Sequence, residues 1–429
     1  MFSWLSSKDS DSKIVALIDI GSGSVGAGLA RLNRSGAPTL LTISREELPL
    51  RMNRTSEQML KDTIETMDRA MVSLRKSAAL WSENNRITPL SIKQIAVFLA
   101  APWSTTSIRT LKLARTTPFL MSEDILKKML ADETKKSAET QSEQVIIEKI
   151  ATGLKLNGYP IDTLSNAKVL KAEVTLAVSH APKAMLDLLQ EKASGGSHVQ
   201  VSFHSFAIPA SHALFRVNEN LLDTLLIDAG AEVTELVLLK DKTPTARATV
   251  PVGTHILLRT LTAHGKMVRG EAETALTLAA IEGTRLGESH KDALYGASKE
   301  WSRAISSALV ELTEGQSIPT SIHLFADKPA LPWFKDALLT EPYPGQIEPF
   351  SNIVIVSAKY FERTIDAKVA SDPFISAELL YADSRFDDNL ALDLLGTNPL
   401  LSRPKHVSSS GILDSMKEAP VRTIGVRQI

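Results

Sequence analysis

One short pattern occurs twice in the chain and limits what it can fold into. Residues 16–25 read Ala-Leu-Ile-Asp-Ile-Gly-Ser-Gly-Ser-Val and residues 225–234 read Leu-Leu-Ile-Asp-Ala-Gly-Ala-Glu-Val-Thr, so Asp19 aligns with Asp228 and Gly21 with Gly230. In each copy an apolar run ends in Asp-x-Gly, turns, and passes at once into a second β-rich run, Val25–Ala30 and Val233–Leu239. Two buried strands joined by a tight turn form a β-hairpin, and glycine supplies the bare backbone that such a turn needs. A motif repeated at half-chain spacing predicts two related halves facing each other, with the paired turns lining one cleft.

The first copy has two rival readings. Gly21-Ser22-Gly23-Ser24-Val25-Gly26 satisfies the dinucleotide fingerprint, with Glu46 or Glu47 after a second strand-like run at Leu40–Ser44. Against it, Ala27–Asn33 leaves about a turn and a half of helix before Ser35-Gly36-Ala37-Pro38 breaks it. Asp19 would also repel a pyrophosphate unless a cation intervened, and the second copy lacks the fingerprint. In the other reading the glycines serve two ordinary hairpins and no ligand.

Bulk properties exclude several classes of function. At 429 residues the chain predicts two or more subdomains. Its 48 Lys plus Arg nearly cancel 49 Asp plus Glu, and aromatic residues are 5 %, which argues against a nucleic-acid partner. Without cysteine there is neither disulfide nor thiolate chemistry, which fits a reducing compartment, and the nine histidines lack the spacing of a ligand pair. No apolar run reaches the length of a membrane span, and Met1–Lys13 lacks the apolar stretch of a signal peptide, so a soluble or peripheral protein is expected.

The patterning alternates strands and helices. Strands are predicted at 14–20, 25–31 and 39–47, then a helix at 56–80 capped by Thr55 or Ser56, with Met59, Leu60, Ile64, Met67, Met71 and Leu74 on one face. Strands at 92–100 and 107–113, a helix at 122–140, strands at 143–151, 154–156 and 169–179 with a turn at Asn157-Gly158 form a compact unit. A helix at 181–193, a strand at 199–203 and a helix at 207–218 lead to the second hairpin. A strand at 244–250, helices at 254–264, 270–283 and 297–314, a strand at 320–325, a helix at 331–340 and a strand at 353–357 follow. Beyond 382 periodicity is lost.

The order Asp-Ile-Gly hairpin, second Asp-x-Gly hairpin, Val250-Pro251-Val252-Gly253, helices and a final strand–turn–helix resembles the actin-like ATPase superfamily over residues 14–360. Within it the chain looks most like the bacterial cell-division protein FtsA. Ile95–Ala101, Gln144–Ile150, Asn157-Gly158-Tyr159-Pro160-Ile161-Asp162 and Val169–Val178 carry that likeness; the type IV pilus protein PilM is the near relative. The resemblance implies an α/β, actin-like (ribonuclease H-like) two-domain fold with an FtsA-type insertion. The halves fall at 14–90 with 181–222 and at 223–381, the latter including a helical subdomain at 263–318. The insertion is placed at 91–180, with a flexible N-terminus at 1–13 and a disordered tail at 382–429.

The resemblance also implies a nucleotide between the two turns. Backbone N–H groups of Gly21, Gly23 and Gly230, with hydroxyls of Ser22 and Ser24, would face the phosphates of ATP, and Asp19 and Asp228 would hold hydrated Mg²⁺. Thr234 and Gly253 complete the set implied. Two family signatures are altered, however. The second turn, Asp-x-Gly-Gly-Gly-Thr-Thr-Asp in relatives, reads Asp228-Ala229-Gly230-Ala231-Glu232-Val233-Thr234-Glu235, placing a carboxylate where phosphates would lie. At 4 Å and an effective dielectric of 20, such a like-charge pair costs about 4 kcal/mol, half of a micromolar affinity. The glycine turn that relatives set against adenosine is here Ala326-Asp327-Lys328-Pro329-Ala330, expected to fill the space of purine and ribose, with Lys328 read as solvated rather than nucleotide-bound. The expectation is an ATP site weakened or lost.

Function then moves to surfaces and ends. An FtsA-like scaffold at the cytoplasmic face of the membrane would link a tubulin-like filament protein, FtsZ, to membrane or divisome proteins, and would self-associate. The alternatives are a PilM-like pilus adaptor and a working actin-like ATPase. Ile412, Leu413 and Met416 share a helical face that Pro420 limits to about two turns, a weak anchor. Phe2-Ser3-Trp4-Leu5 and the β-like run Val421–Ile429 are the other candidate membrane or partner contacts.

Overall fold

The structure is a computed structural model. It describes residues 11–51, 54–86, 91–122, 124–129, 143–161, 168–195, 199–282, 286–313, 318–340, 343, 350, 352–369 and 372–386. The expectations for the C-terminal tail from residue 387, for the first ten residues and for the helix beyond 129 lie outside these residues.

In chain order, β1 (Ser12–Ile20), β2 (Ser24–Asn33) and β3 (Thr39–Glu47) form a meander that leads to α1 (Ser56–Asn84). Next come β4 (Ile92–Leu99), β5 (Thr105–Leu120), a helical stretch α2 at 124–129, β6 (Gln144–Leu156), β7 (Tyr159–Pro160) and β8 (Lys168–Pro182). They are followed by α3 (Lys183–Ser194), β9 (Gln200–Ser205) and α4 (Ala207–Val217). The second meander is β10 (Thr224–Ala229), β11 (Thr234–Lys240) and β12 (Thr243–Val250). Helices α5 (His255–Gly265), α6 (Arg269–Glu282) and α7 (Glu288–Thr313) precede β13 (Ser321–Ala326), α8 (Leu331–Thr340) and β14 (Asn352–Ile355). A 3₁₀ turn at Ala358–Phe361, β15 (Asp366–Ala367) and α9 (Pro373–Ser384) close the described chain.

Two sheets repeat one topology. The first is ordered β15-β3-β2-β1-β4-β9 and the second β12-β11-β10-β13-β14. In each, an antiparallel meander is extended by two parallel strands on the side of its first strand. Asp19 lies beside Phe98 on β4, and Asp228 takes the same position beside Phe325 on β13. The repeated Asp-x-Gly motif is thus the trace of a repeated half. Continuous apolar runs on β1 and β10 follow from burial of both sheet faces. Helix α1 opens on a capping box in which Thr55 and Gln58 satisfy each other's backbone N–H groups. Met67, Met71 and Leu74 on its inner face are buried against the first sheet.

The insertion forms its own sheet, β5-β8-β6-β7. Its strands are longer than the sequence predicted: β6 continues unbroken through Gly153, whose missing side chain admits that of Thr243. The Asn157-Gly158 turn is a two-residue hairpin with φ of 51° and 88°. Positive φ at both central residues accounts for that dipeptide by backbone geometry alone. A buried network ties insertion to first half: Glu148 on β6 accepts from Tyr381 Oη at 2.7 Å and from Ser205 Oγ at 2.8 Å, and its Oε1 lies 3.3 Å from His204 Nδ1. Burial opposes the Glu148 charge, but His204, Tyr381 and Ser205 together hold its carboxyl below the usual range.

Four boundaries differ from the sequence reading. Ile92–Leu99, placed in the insertion at 91–180, form β4 of the first sheet, between β1 and β9. Residues 358–386 leave the second half: β15 pairs with β3, and α9 packs against α4, β1 and β2. The periodicity of α9 escapes notice because the helix is buried all round, Ile375 through Asp383. Residues 382–386 accordingly belong to the core, with Phe386 buried, and Lys13 is not part of a frayed end, since its Nζ donates to Phe386 O at 2.7 Å.

Candidate functional site

Asp19 and Asp228 are the penultimate residues of β1 and β10, and their hairpin partners differ. Opposite Asp19 stands Gly26, and opposite Gly26 on β3 stands Arg45. A Cβ on Gly26 would lie 2.7 Å from Arg45 Nη2, so the glycine makes the path for the guanidinium. Arg45 Nη2 donates to Asp19 Oδ2 at 2.7 Å and Nη1 donates to Ser24 Oγ at 2.8 Å. Nε and Nη2 donate to the two oxygens of Asp372 at 2.7 and 3.0 Å. Asp372 also caps α9, accepting from the N–H groups of Phe374 and Ile375.

In the second half Glu235 faces Asp228 and pairs with Arg247, and Asp228 Oδ1 has no hydrogen-bond partner among the described residues. Burial, then repulsion from Glu235, Asp19 and Asp327, pushes its carboxyl well above the usual range. Glu378 on α9 is raised well above its usual range too, by burial and then by Asp19. Asp19 itself is raised, because burial outweighs the pull of Arg45.

The two turns touch. Glu232 N–H donates to Ser22 Oγ at 3.0 Å, and a Cβ on Gly23 would stand 2.2 Å from Ala231 Cβ. The first amides of α5, which at a helix N-terminus would face a phosphate, donate instead to protein carbonyls: Thr254 N to Gly230 O at 2.8 Å and His255 N to Ala231 O at 2.9 Å. Gly253 lies so close that a Cβ there would be 2.1 Å from Gly230 O. Thr234 does not reach the cleft, because its hydroxyl donates to Val252 O at 2.7 Å and accepts from Trp301 Nε1 at 2.9 Å.

Glu232 departs from the expectation that its carboxylate would stand beside the phosphates. Arg259 Nη2 contacts its two oxygens at 2.5 and 2.6 Å, and His255 Nδ1 lies 3.0 Å from Oε1. Burial works against its ionisation, but the hydrogen bonds from His255 and Arg259 win and hold the pKa at about 2.

What is left between Asp19, Ser22, Ser24, Arg45, Asp228 and Asp327 is a cavity of ≈ 30 Å³. That is room for about two water molecules. The arrangement does not fit a triphosphate with hydrated Mg²⁺: the hydroxyls of Ser22 and Ser24, the Gly21 and Glu232 amides and the first amides of α5 are engaged by protein groups, and a guanidinium holds Asp19. Among the described residues no group of three His, Asp or Glu side chains is arranged to hold a metal ion. Beside the Asp327–Ala330 turn the opposite holds. A cavity of ≈ 530 Å³ lies between that turn, Glu47, Leu258, Arg269 and Thr277, so these side chains do not fill the nucleoside side as the sequence led us to expect.

Two sheets of one topology, each offering an Asp-x-Gly hairpin to a common cleft, make this an α/β chain of the actin-like ATPase fold. No family model matches the sequence, and no curated protein matches it. Among solved structures, the PilM–PilN type IV pilus biogenesis complex is similar at 15 % identity with a TM-score of 0.57, covering 86 % of this chain and 98 % of that one. The ethanolamine utilization protein EutJ from Carboxydothermus hydrogenoformans matches at 12 % identity and a TM-score of 0.42, covering 87 % and 89 % of the two chains. A Bacteroides thetaiotaomicron protein with actin-like ATPase fold and unknown function matches at 8 % identity and 0.39, over 88 % of this chain and 99 % of that chain.

Sequence reasoning missed Arg45, Asp372 and Glu378. Arg45 was legible in principle, since the β2–β3 hairpin register sets it across from Gly26. Asp372 precedes Pro373, a helix-start signal. Glu378 carries no local signal.

Proposed function

We propose that this chain is an actin-fold adaptor of the PilM kind, which holds a segment of a membrane-assembly protein and works without hydrolysing ATP. The observation that carries this reading is the sealed phosphate side: Arg45 on Asp19, Ser22 on Glu232, and α5 amides on the second turn. The likeness to PilM supports it by spanning nearly the whole of that chain. The division-protein reading has less support: in the Gly158-Tyr159-Pro160-Ile161-Asp162 stretch that favoured it, the glycine is explained by the geometry of the hairpin turn. No described helix is long and apolar enough to cross a membrane, so on this reading the contact with the cytoplasmic face runs through the partner.

The test is fluorescence anisotropy of a labelled cytoplasmic segment of a PilN-type protein, titrated with the purified chain with and without Mg-ATP. Saturable binding of equal affinity in both conditions is the expected result. Binding that requires Mg-ATP, or phosphate release above background, overturns the adaptor reading; co-sedimentation with FtsZ-type filaments in its place would restore the division role.

A further inference from the structure

The insertion exposes a regular strand edge. β5 is the outermost strand of its sheet, paired on one side with β8 from Thr105↔His180 to Ala114↔Lys171, and no described strand pairs with its other side. Near its start the strand is covered, with Thr106 buried, and it contacts β12. From Arg109 to Ala114 it projects into solvent: Arg109, Thr110, Lys112 and Ala114 are exposed, and Leu111 and Leu113 are half-buried. A row of backbone N–H and C=O groups on such an edge is a template for another extended chain.

Charge says which chain. The run 109–115 carries Arg109, Lys112 and Arg115 and no carboxylate, in a protein whose net charge is −1. The adjoining β8 adds Lys168 and Lys171, with Glu173 in register opposite Lys112, and α2 adds Lys127 and Lys128 against Asp124. Edge cations commonly blunt pairing, and here they act against like strands. A second copy would set β5 against β5, cation to cation, which is unfavourable. The chain's own β-like run Val421–Ile429 brings Arg422 and Arg427 with no acidic side chain, and is repelled likewise. On the core side, Leu111 and Leu113 of β5 and Ile125, Leu126 and Met129 of α2 all pack against the insertion's buried apolar cluster, so one face of the sheet next to the edge is apolar.

We propose that the Arg109–Ala114 edge of β5 takes an extended acidic peptide of a partner protein as an added strand, with its alternate apolar side chains set on the face of the sheet that carries Leu111 and Leu113. The inference rests on the edge and its charge and does not depend on the pilus reading.

The experiment uses the full chain and a fluorescein-labelled decapeptide of alternating glutamate and valine. Saturable binding is expected, with slowed amide exchange in 109–114. The double variant Lys112→Gln/Arg115→Gln, at exposed positions and shown by its unfolding midpoint to be folded, should weaken that binding about tenfold or more. Proline at alternate valines should abolish binding by removing backbone donors. Equal affinity for the proline-interrupted peptide, protection confined to another strand, or no saturable binding overturns the proposal. Sedimentation with phosphatidylglycerol vesicles that the double variant abolishes, without slowed exchange in β5, would overturn it in favour of a lipid surface.

Discussion

The hydroxyl of Ser22 accepts a 3.0 Å hydrogen bond from the backbone N–H of Glu232, joining the two turns that the sequence places half a chain apart. In a nucleotide-binding cleft these two groups would both face the ligand. Their direct bond makes the halves each other's ligand.

Calorimetry should detect no micromolar affinity for ATP with Mg²⁺, and millimolar Mg-ATP should leave the thermal midpoint within experimental scatter. A dissociation constant near 1 µM would require about 8 kcal/mol from a cradle whose Ser22 and Ser24 hydroxyls and α5 amides are already bonded to protein. Micromolar binding would therefore show that the turns part readily.

Arg45→Met should destabilise the fold by about 3 kcal/mol or more, because it leaves the buried carboxyl of Asp19 and the half-buried one of Asp372 without their shared cation. Urea unfolding measures this. A loss under about 1 kcal/mol would mean that Asp19 is satisfied another way.

With a carboxylate placed where phosphates would lie, the sequence alone makes Glu232→Gly a repair of the phosphate loop. The structure predicts instead that it fails to restore nucleotide binding and lowers the unfolding midpoint, since Arg259 and His255 lose their acceptor. Gain of Mg-ATP affinity in this variant would refute the sealed-cleft account.

The same glutamate sets a pH signature. Its folded pKa of about 2 lies below the ordinary glutamate value of 4.5, so its stabilising contribution is complete above about pH 4.5 and is lost as pH falls through 2. Wild type minus Glu232→Gln stability should shrink across that window. A difference independent of pH there would show that the carboxylate's charge does not matter.

Glu148→Ala should cost on the order of 3 kcal/mol, because Ser205 and Tyr381 lose a common buried acceptor and His204 a neighbour. Tyr381→Phe removes one of those bonds and should cost about 1 kcal/mol. Chemical denaturation of both variants tests whether the network acts as a unit.

The fold was legible because its evidence is local and repeated: Asp19 and Asp228 end apolar runs, and strand pairing turns those runs into two sheets of one order. The site was legible only in part. Gly21 through Ser24 and Gly230 do converge, but whether a turn cradles a ligand or a second turn depends on side chains such as Ala231, which lies against Gly23. Arg45 reaches Asp372, more than three hundred residues on, and that contact exists only because α9 returns to the first half. Lys328 and its neighbours looked obstructive as residue types, yet the turn they form leaves a cavity beside it, which composition alone does not reveal.

That return of α9 has a mechanical meaning. The polypeptide crosses from the first sheet to the second between α4 and β10, and crosses back between β14 and the 3₁₀ turn at Ala358–Phe361. The second half is therefore a guest within the host, hung from two covalent pivots rather than trailing from one. Two pivots define an axis, and the relative movement open to the halves is rotation about it, like a door on its pins. Nicking the chain at either crossing would free the guest to swing or twist, and would change how the cleft opens without touching a residue inside it.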